Sequence, residues 1–130
     1  MAKYAHSDIL DNGIEKLRTT AVRVLVIKTY TAAQSYATVT GNAVISLTIT
    51  TSDFGAIAGA DGAARTLAFN GKSGTASASS GATPNLHIAF TDGSSKVLLV
   101  TDETSDQEIF SGNTVNIPSI SPLYTSNQPT

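Results

Sequence analysis

Residues Asn85–Thr104, NLHIAFTDGSSKVLLVTDET, decide the fold because two strand patterns follow one another with a turn between them. The first run alternates apolar with more polar side chains, which is the period of a strand with one buried face. The second run, Val97–Val100, is continuously apolar and predicts an inner strand covered on both faces. Asp92-Gly93 predicts the turn, since glycine adopts a positive φ readily. The predicted core residues of this β-hairpin are Ile88, Phe90, Val97 and Leu99.

An amphipathic helix is predicted near the N-terminus. Four apolar residues recur at helical spacing and form one stripe that is expected to lie on a sheet: Leu10, Ile14, Leu17 and Ala21. Ser7 and Asp11 are alternative N-caps for this helix. Gly13 costs about 1 kcal/mol in a helix interior, which favours the later start.

Further strands are indicated upstream of the hairpin. Val22–Tyr30 is rich in β-branched residues and predicts a buried strand, whereas Ala43–Thr50 alternates and predicts a half-exposed one. Between them, Ser35–Thr40 fits either a short strand or a single helical turn.

A second hairpin is predicted in the middle of the chain, where Thr66–Phe69 and Ser73–Ser79 flank the turn dipeptide Asn70-Gly71. A short last strand is predicted at Val115–Ile117. Several short strands and one early helix together predict a mainly β fold. We expect an antiparallel β-sandwich or barrel-like domain with one short N-terminal α-helix.

The chain is predicted to be one domain with two irregular ends, because 130 residues suffice for a single core. Residues 1–6 form an N-terminal arm, residues 7–118 the β-rich core, and residues 119–130 an extended C-terminal tail interrupted by prolines. Ser52–Arg65 is rich in Ala and Gly and is predicted to be a contact loop.

The composition excludes several classes of partner. Charged residues make up 14% of the chain and the formal net charge is −2, so no basic surface is predicted for a nucleic-acid backbone. The chain has no cysteine, which removes disulfides and thiolate chemistry. No apolar stretch approaches the roughly 20 residues of a membrane span, and no export signal is recognisable. We therefore expect a soluble protein with neither nucleic acid nor a membrane as its direct partner.

No catalytic residue, cofactor site or metal site is predicted. His6 and His87 lack neighbouring ligands at a metal-binding spacing, so both are expected to be dispensable for metal content. The acidic run Asp102–Glu108 lacks the spacing of a calcium loop and indicates a solvated loop. The Gly-Lys-Ser sequence at 71–73 lacks the upstream glycine of a phosphate-binding loop. These patterns favour a protein that is not an enzyme.

Four stretches, taken in order along the chain, resemble a family of small virion structural proteins of tailed bacteriophages: MAKYAHSDILDNG, NLHIAFTDGSSKVLLVTDET, SGNTVNIP and YTSNQPT. The resemblance implies a non-enzymatic component of the phage virion, made in the host bacterial cytoplasm. It implies a capsid decoration or cement protein that binds the major capsid protein or another virion protein and stabilises the head shell. A neck or tail component is the alternative position. A protein attached in many copies is also expected to be a symmetric homo-oligomer.

The residues expected to contact the assembly lie in the arm and the tail: Tyr4, Ile120, Leu123 and Tyr124. They are apolar residues in otherwise polar ends, and prolines lower the entropy lost on docking. These ends are therefore expected to become ordered mainly in the assembly. The alternative function is a glycan-binding β-sandwich, in which exposed Tyr or Phe rings stack on sugars.

Overall fold

The computed structural model describes residues 2–103 and 105–130 and confirms a mainly β, antiparallel fold with a 14-residue helix near the N-terminus. The elements in chain order are α1 (Ser7–Thr20), β1 (Arg23–Ile27), α2 (Tyr36–Gly41), β2 (Ala43–Thr48), a 3₁₀ turn (Thr51–Asp53), β3 (Arg65–Phe69), β4 (Lys72–Thr75), β5 (His87–Thr91), β6 (Val97–Asp102), β7 (Thr114–Ile117) and β8 (Ile120–Ser126). The helical turn α2 decides the alternative that the sequence leaves open at Ser35–Thr40.

The four-stranded sheet has the order β2-β1-β5-β6 and is antiparallel throughout. Its strands β5 and β6 form the predicted hairpin, and Gly93 in their turn has a φ of +79°. Backbone N–H groups of Ser95, Lys96 and Ser94 donate to the Asp92 carboxylate and hold the pKa of Asp92 well below its usual range. The hairpin prediction is thus confirmed, together with a charged side chain that stabilises its turn.

Strand β6 corrects one expectation, because it is an edge strand of the sheet and not an inner one. Its residues Val97–Val100 are half-buried throughout. Of the predicted core residues, Ile88 and Phe90 are fully buried, whereas Val97 and Leu99 pack against the core from the edge. The run is continuously apolar because its residues pack on both faces of the sheet, although neither face buries them completely.

The other four strands form one long antiparallel ribbon that is bent at a corner. β3 pairs with β8, and β4 pairs with β7. Phe69 lies opposite Ile120 and Lys72 lies opposite Ile117, so the register is the same on both sides of the corner. The predicted hairpin between β3 and β4 is wrong, because the turn between these strands bends the ribbon and does not pair them.

The C-terminal segment also corrects an expectation, because residues 120–126 form strand β8 where the sequence predicts an unpaired tail. The ladder with β3 has an irregularity between Leu67 and Phe69, and β8 bulges there. Pro122 falls in this bulge, where a missing N–H group breaks no ladder hydrogen bond. Proline is therefore compatible with β8 as a strand of a two-stranded ribbon, although it is unsuited to an inner strand of a larger sheet.

The main core lies between one face of the four-stranded sheet and the ribbon with α1, which gives a sandwich-like arrangement. Its centre holds three phenylalanines whose ring centroids are 5.2 to 5.8 Å apart: Phe54, Phe69 and Phe90. Phe54 comes from the segment predicted to be a contact loop with little to pack, so that prediction is wrong for its first residues. On the other face of the sheet, α2 buries Val39 against Leu25 and Ile27.

Helix α1 confirms the predicted apolar stripe and decides where the helix begins. All four stripe residues are buried against the core: Leu10, Ile14, Leu17 and Ala21. The helix starts at Ser7, so the favoured later start is wrong, and its N-cap is His6 and neither Ser7 nor Asp11. The His6 Nδ1 atom accepts a hydrogen bond from the Asp8 N–H at 3.1 Å. Gly13 lies inside the helix and is exposed, and a Cβ atom added there meets nothing within 4 Å. The fold of the single chain therefore has no steric need for this glycine.

The close packing at the ribbon corner predicts that alanine costs more stability at one of two glycines that have the same φ. Gly71 and Gly81 both have a φ of +85°, but a Cβ on Gly71 lies 2.9 Å from the Ser119 nitrogen, whereas one on Gly81 meets nothing within 4 Å. We expect Gly81→Ala to lower the free energy of unfolding by about 1 kcal/mol, the strain of a left-handed alanine. Gly71→Ala adds a clash with backbone and should cost about 1 to 2 kcal/mol more. Denaturant melts of both variants measure the difference, and equal costs would contradict the close approach at the corner.

Candidate functional site

The two chain ends meet on the surface and are held together by one glutamine. Gln128 accepts a hydrogen bond from the Ala5 N–H at 2.9 Å and donates to the Ala5 carbonyl at 3.0 Å. It also donates to the Ala63 carbonyl at 3.1 Å, and Lys3 hydrogen-bonds the Thr130 carbonyl. The expectation that the arm and the tail are ordered mainly in an assembly is therefore corrected. Both ends are fixed to their own domain by paired amide groups.

The arm presents Tyr4 as an exposed ring beside an acidic residue of the neighbouring loop. The side chain is 58% exposed, and its proximity to Asp61 contributes to a raised pKa of the Tyr4 hydroxyl, after the larger effect of desolvation. Asp61 accepts a hydrogen bond from the Ser7 N–H at 3.1 Å and lies 3.7 Å from the His6 Nε2 atom. The hydrogen bond from the Ser7 N–H is the largest cause of the lowered pKa of Asp61. The loop residue beside the Tyr4 ring is thus itself fixed to the start of α1.

An ion pair ties this loop to α1. Arg65 donates to both carboxylate oxygens of Asp11, at 2.7 and 3.1 Å, and also hydrogen-bonds the Gly59 carbonyl. The hydrogen bond from Arg65 lowers the pKa of Asp11, and the pairing raises the pKa of Arg65. We call the area made by residues 3–6, 59–63 and 128–130 the terminal surface. It brings together three segments that the sequence treats separately: the arm, the later part of the contact loop and the chain end.

The other predicted contact residues lie along β8 and differ in exposure. Ile120 and Leu123 are half-buried against the main core, so both contribute to the fold. Tyr124 is 42% exposed and borders a shallow apolar groove of about 140 Å³. The other residues lining this groove are Gly13, Leu17, Leu98 and Leu99. Tyr4 and Tyr124 are therefore the exposed members of the predicted set.

A second feature, which the sequence does not predict, is an open cleft of about 480 Å³ between the four-stranded sheet and β7. Its floor is apolar and includes Ile88 and Ile117, and its rim is polar and includes Gln107, Glu108, Asn113 and Asn116. Phe110, which is 53% exposed, stands at the edge of the cleft. Nothing in the periodicity around Phe110 distinguishes it from a core residue, because its exposure depends on how residues 105–113 lie beside the cleft.

The side chains considered for metal or acid–base chemistry have structural contacts. His87 packs against Tyr30, with ring centroids 5.6 Å apart, and its Nε2 lies 3.7 Å from Asp102. Asp106 accepts a hydrogen bond from the Leu86 N–H at 2.8 Å and so closes the acidic loop onto the hairpin. Within residues 2–103 and 105–130, no three His, Asp or Glu side chains converge as metal ligands. Neither helix in this part of the chain has the length and apolar character to cross a membrane.

The chain was compared with protein families, curated proteins and solved structures. No family model, no curated protein and no solved structure matches the chain.

Proposed function

We propose that this chain is a non-enzymatic structural protein of a tailed-bacteriophage particle and that it attaches to the head shell through the terminal surface. Two things support the proposal. Four stretches of the sequence resemble small virion structural proteins of such phages. The single structural observation that carries it is the convergence of the arm, the loop and the chain end around the exposed Tyr4 ring.

The physical properties of the terminal surface suit attachment to a repeating shell. A tyrosine ring offers a large contact area and loses little conformational entropy on docking, because it has only two χ angles. Ion pairing of Arg65 with Asp11 neutralises two charges beside this surface before docking, so less desolvation of those two groups is needed. A repeating shell presents the same contact site many times, so each copy needs to recognise only one local site through this surface. The major capsid protein is the proposed partner, and a neck or tail protein is the alternative.

A pair of exposed aromatic residues allows a matched test. We expect Tyr4→Ala to reduce occupancy on phage particles depleted of this protein by about tenfold or more, as for truncation of an interface anchor. Phe110→Ala removes a ring of similar exposure from the other candidate site and should leave occupancy unchanged. Binding is measured by co-sedimentation of purified protein with the particles, and thermal melting shows that both variants remain folded.

Two experimental outcomes would contradict the proposal. Mass spectrometry of purified particles should detect the unchanged chain in many copies, and its absence would exclude a virion role. If the chain is present but Tyr4→Ala binds as tightly as the unchanged protein, the terminal surface is not the attachment site.

Glycan binding is the second candidate function, and the cleft beside Phe110 is the observation that favours it. An exposed ring next to amide and carboxylate side chains is an arrangement that stacks on a sugar and hydrogen-bonds its hydroxyls. On a glycan array, Phe110→Ala should then abolish binding and Tyr4→Ala should retain it. Attachment to particles thus predicts a loss for Tyr4→Ala only, whereas glycan binding predicts a loss for Phe110→Ala only.

A further inference from the structure

The two edges of the four-stranded sheet are treated differently. At the β2 edge, the Ser77 and Ala78 N–H groups donate to the Val44 carbonyl, at 2.8 and 3.3 Å, so a neighbouring segment covers the strand. At the β6 edge, no backbone group outside the β5–β6 ladder hydrogen-bonds to residues 97–102 in the described part of the chain. Strand β6 therefore presents an open row of donors and acceptors, which is a template for another strand.

The side chains of β6 are unusual for an exposed edge. Val97 and Val100 pack toward the α2 side of the sheet, while Leu98 and Leu99 pack toward the main core, and all four remain half-exposed. Neither a proline nor an inward charge interrupts this run. A bulge next to Val97 confines the regular part of the edge to Leu99–Asp102. This short apolar edge continues onto the groove of Leu98, Leu99, Gly13 and Tyr124, which widens the apolar area.

The charges that flank the strand select an occupant. Lys96 precedes β6, whereas Asp102 and Glu103 lie at its other end. We propose that a second copy of this chain pairs antiparallel with β6 about a two-fold axis near Val100. That arrangement brings Lys96 of each copy to the acidic end of the other, so both ends of the interface are complementary. A parallel copy would instead place like charges opposite one another.

The proposed dimer also explains why a glycine occupies position 13, because Gly13 lines the groove beside β6. An exposed glycine inside α1 costs stability, yet the single chain has no steric need for it. Because the groove adjoins the β6 edge, a second copy seated there approaches the helix backbone, and a side chain at this position would stand in its way. The strand edge and the groove thus belong to one interface.

A charge exchange between two variants tests this geometry. Lys96→Glu should weaken self-association by about tenfold or more, because both ends then carry like charges, and Asp102→Lys with Glu103→Lys should do the same. An equimolar mixture of the two variants should regain dimers, since each introduced charge then meets its opposite in the other chain. Sedimentation equilibrium over a concentration series measures all three samples. Lys28→Glu makes the same charge change at an exposed site outside β6 and should leave self-association unchanged.

A second measurement does not depend on charge. The chain has no cysteine, so Val100→Cys introduces a single thiol that lies close to its own copy at the two-fold axis and should form a disulfide-linked dimer on mild oxidation. Val97→Cys places the two thiols about 20 Å apart and should crosslink far more slowly. Monomeric behaviour of the unchanged protein at every concentration, a mixture that stays monomeric, or equal crosslinking of both thiols would overturn the proposal. Attachment of monomers to particles is independent of these results, so failure here leaves the proposed function standing.

Discussion

Deleting residues 119–130 should abolish cooperative folding of the isolated protein. The deletion removes β8, which is the ladder partner of β3 in the ribbon, together with Ile120 and Leu123, which pack on the core. It also uncovers Leu67 and Phe69, which are at most 1% exposed in the intact chain. Uncovering these two side chains alone costs about 3 to 6 kcal/mol. That is comparable with the whole stability of an ordinary domain, about 5 to 15 kcal/mol.

Circular dichroism during thermal and denaturant melts measures this effect. The matched control is deletion of residues 127–130 alone, which removes the Gln128 contacts but leaves β8 intact. This shorter deletion should retain a cooperative transition. If the longer deletion also unfolds cooperatively near the temperature of the intact protein, β8 is not part of the folded core.

Phe90→Ala should lower the free energy of unfolding by about 3 to 5 kcal/mol, which is the cost of truncating a fully buried aromatic residue. Phe90 is 0% exposed, and its ring lies 5.2 Å from that of Phe69 and 5.8 Å from that of Phe54. The substitution leaves a cavity where the sheet, the ribbon and the segment after β2 meet. The two neighbouring rings, Phe54 and Phe69, are held by separate elements and cannot both shift to fill it.

Equilibrium denaturation of this variant and of Phe110→Ala gives the comparison. The exposed Phe110 ring should contribute less than about 0.5 kcal/mol, as is usual at a surface position. A loss below about 1 kcal/mol for Phe90→Ala would show that the hairpin does not form the centre of the core.

Local periodicity predicted those elements whose neighbours in space are also neighbours in sequence. The β5–β6 hairpin and the α1 stripe follow from spacing alone, because one turn or one helix brings their residues together. The ribbon was not predicted, since residues of β3 pair with residues of β8 that lie 51 to 61 positions later, and no local pattern records such a pairing. Pro122 hid the last strand further, because a bulge that tolerates proline is visible only once the partner strand is known.

Only part of the candidate site could be predicted from the sequence. Tyr4 and Tyr124 stand out as aromatic residues in polar ends, and the structure leaves both exposed. Gln128 carried no signal, because an amide side chain is an ordinary feature of a chain end until its partners at Ala5 and Ala63 are known. The edge position of β6 was equally hidden, since a continuous apolar run fits an inner strand as well as a half-exposed one.

The pairing of the two chain ends sets the order in which this protein can mature on the ribosome. Ala5 and Gln128 are 123 positions apart, and the strand that pairs with β3 begins only at residue 120. The hairpin and α1 can form early on the nascent chain, but β3 cannot pair before residues 120–126 are synthesised, and the terminal surface cannot close before Gln128 is. Such long-range closure is slow in comparison with local pairing. The surface proposed to dock on the shell therefore forms after the hairpin, and nascent chains that have not reached residue 128 lack it.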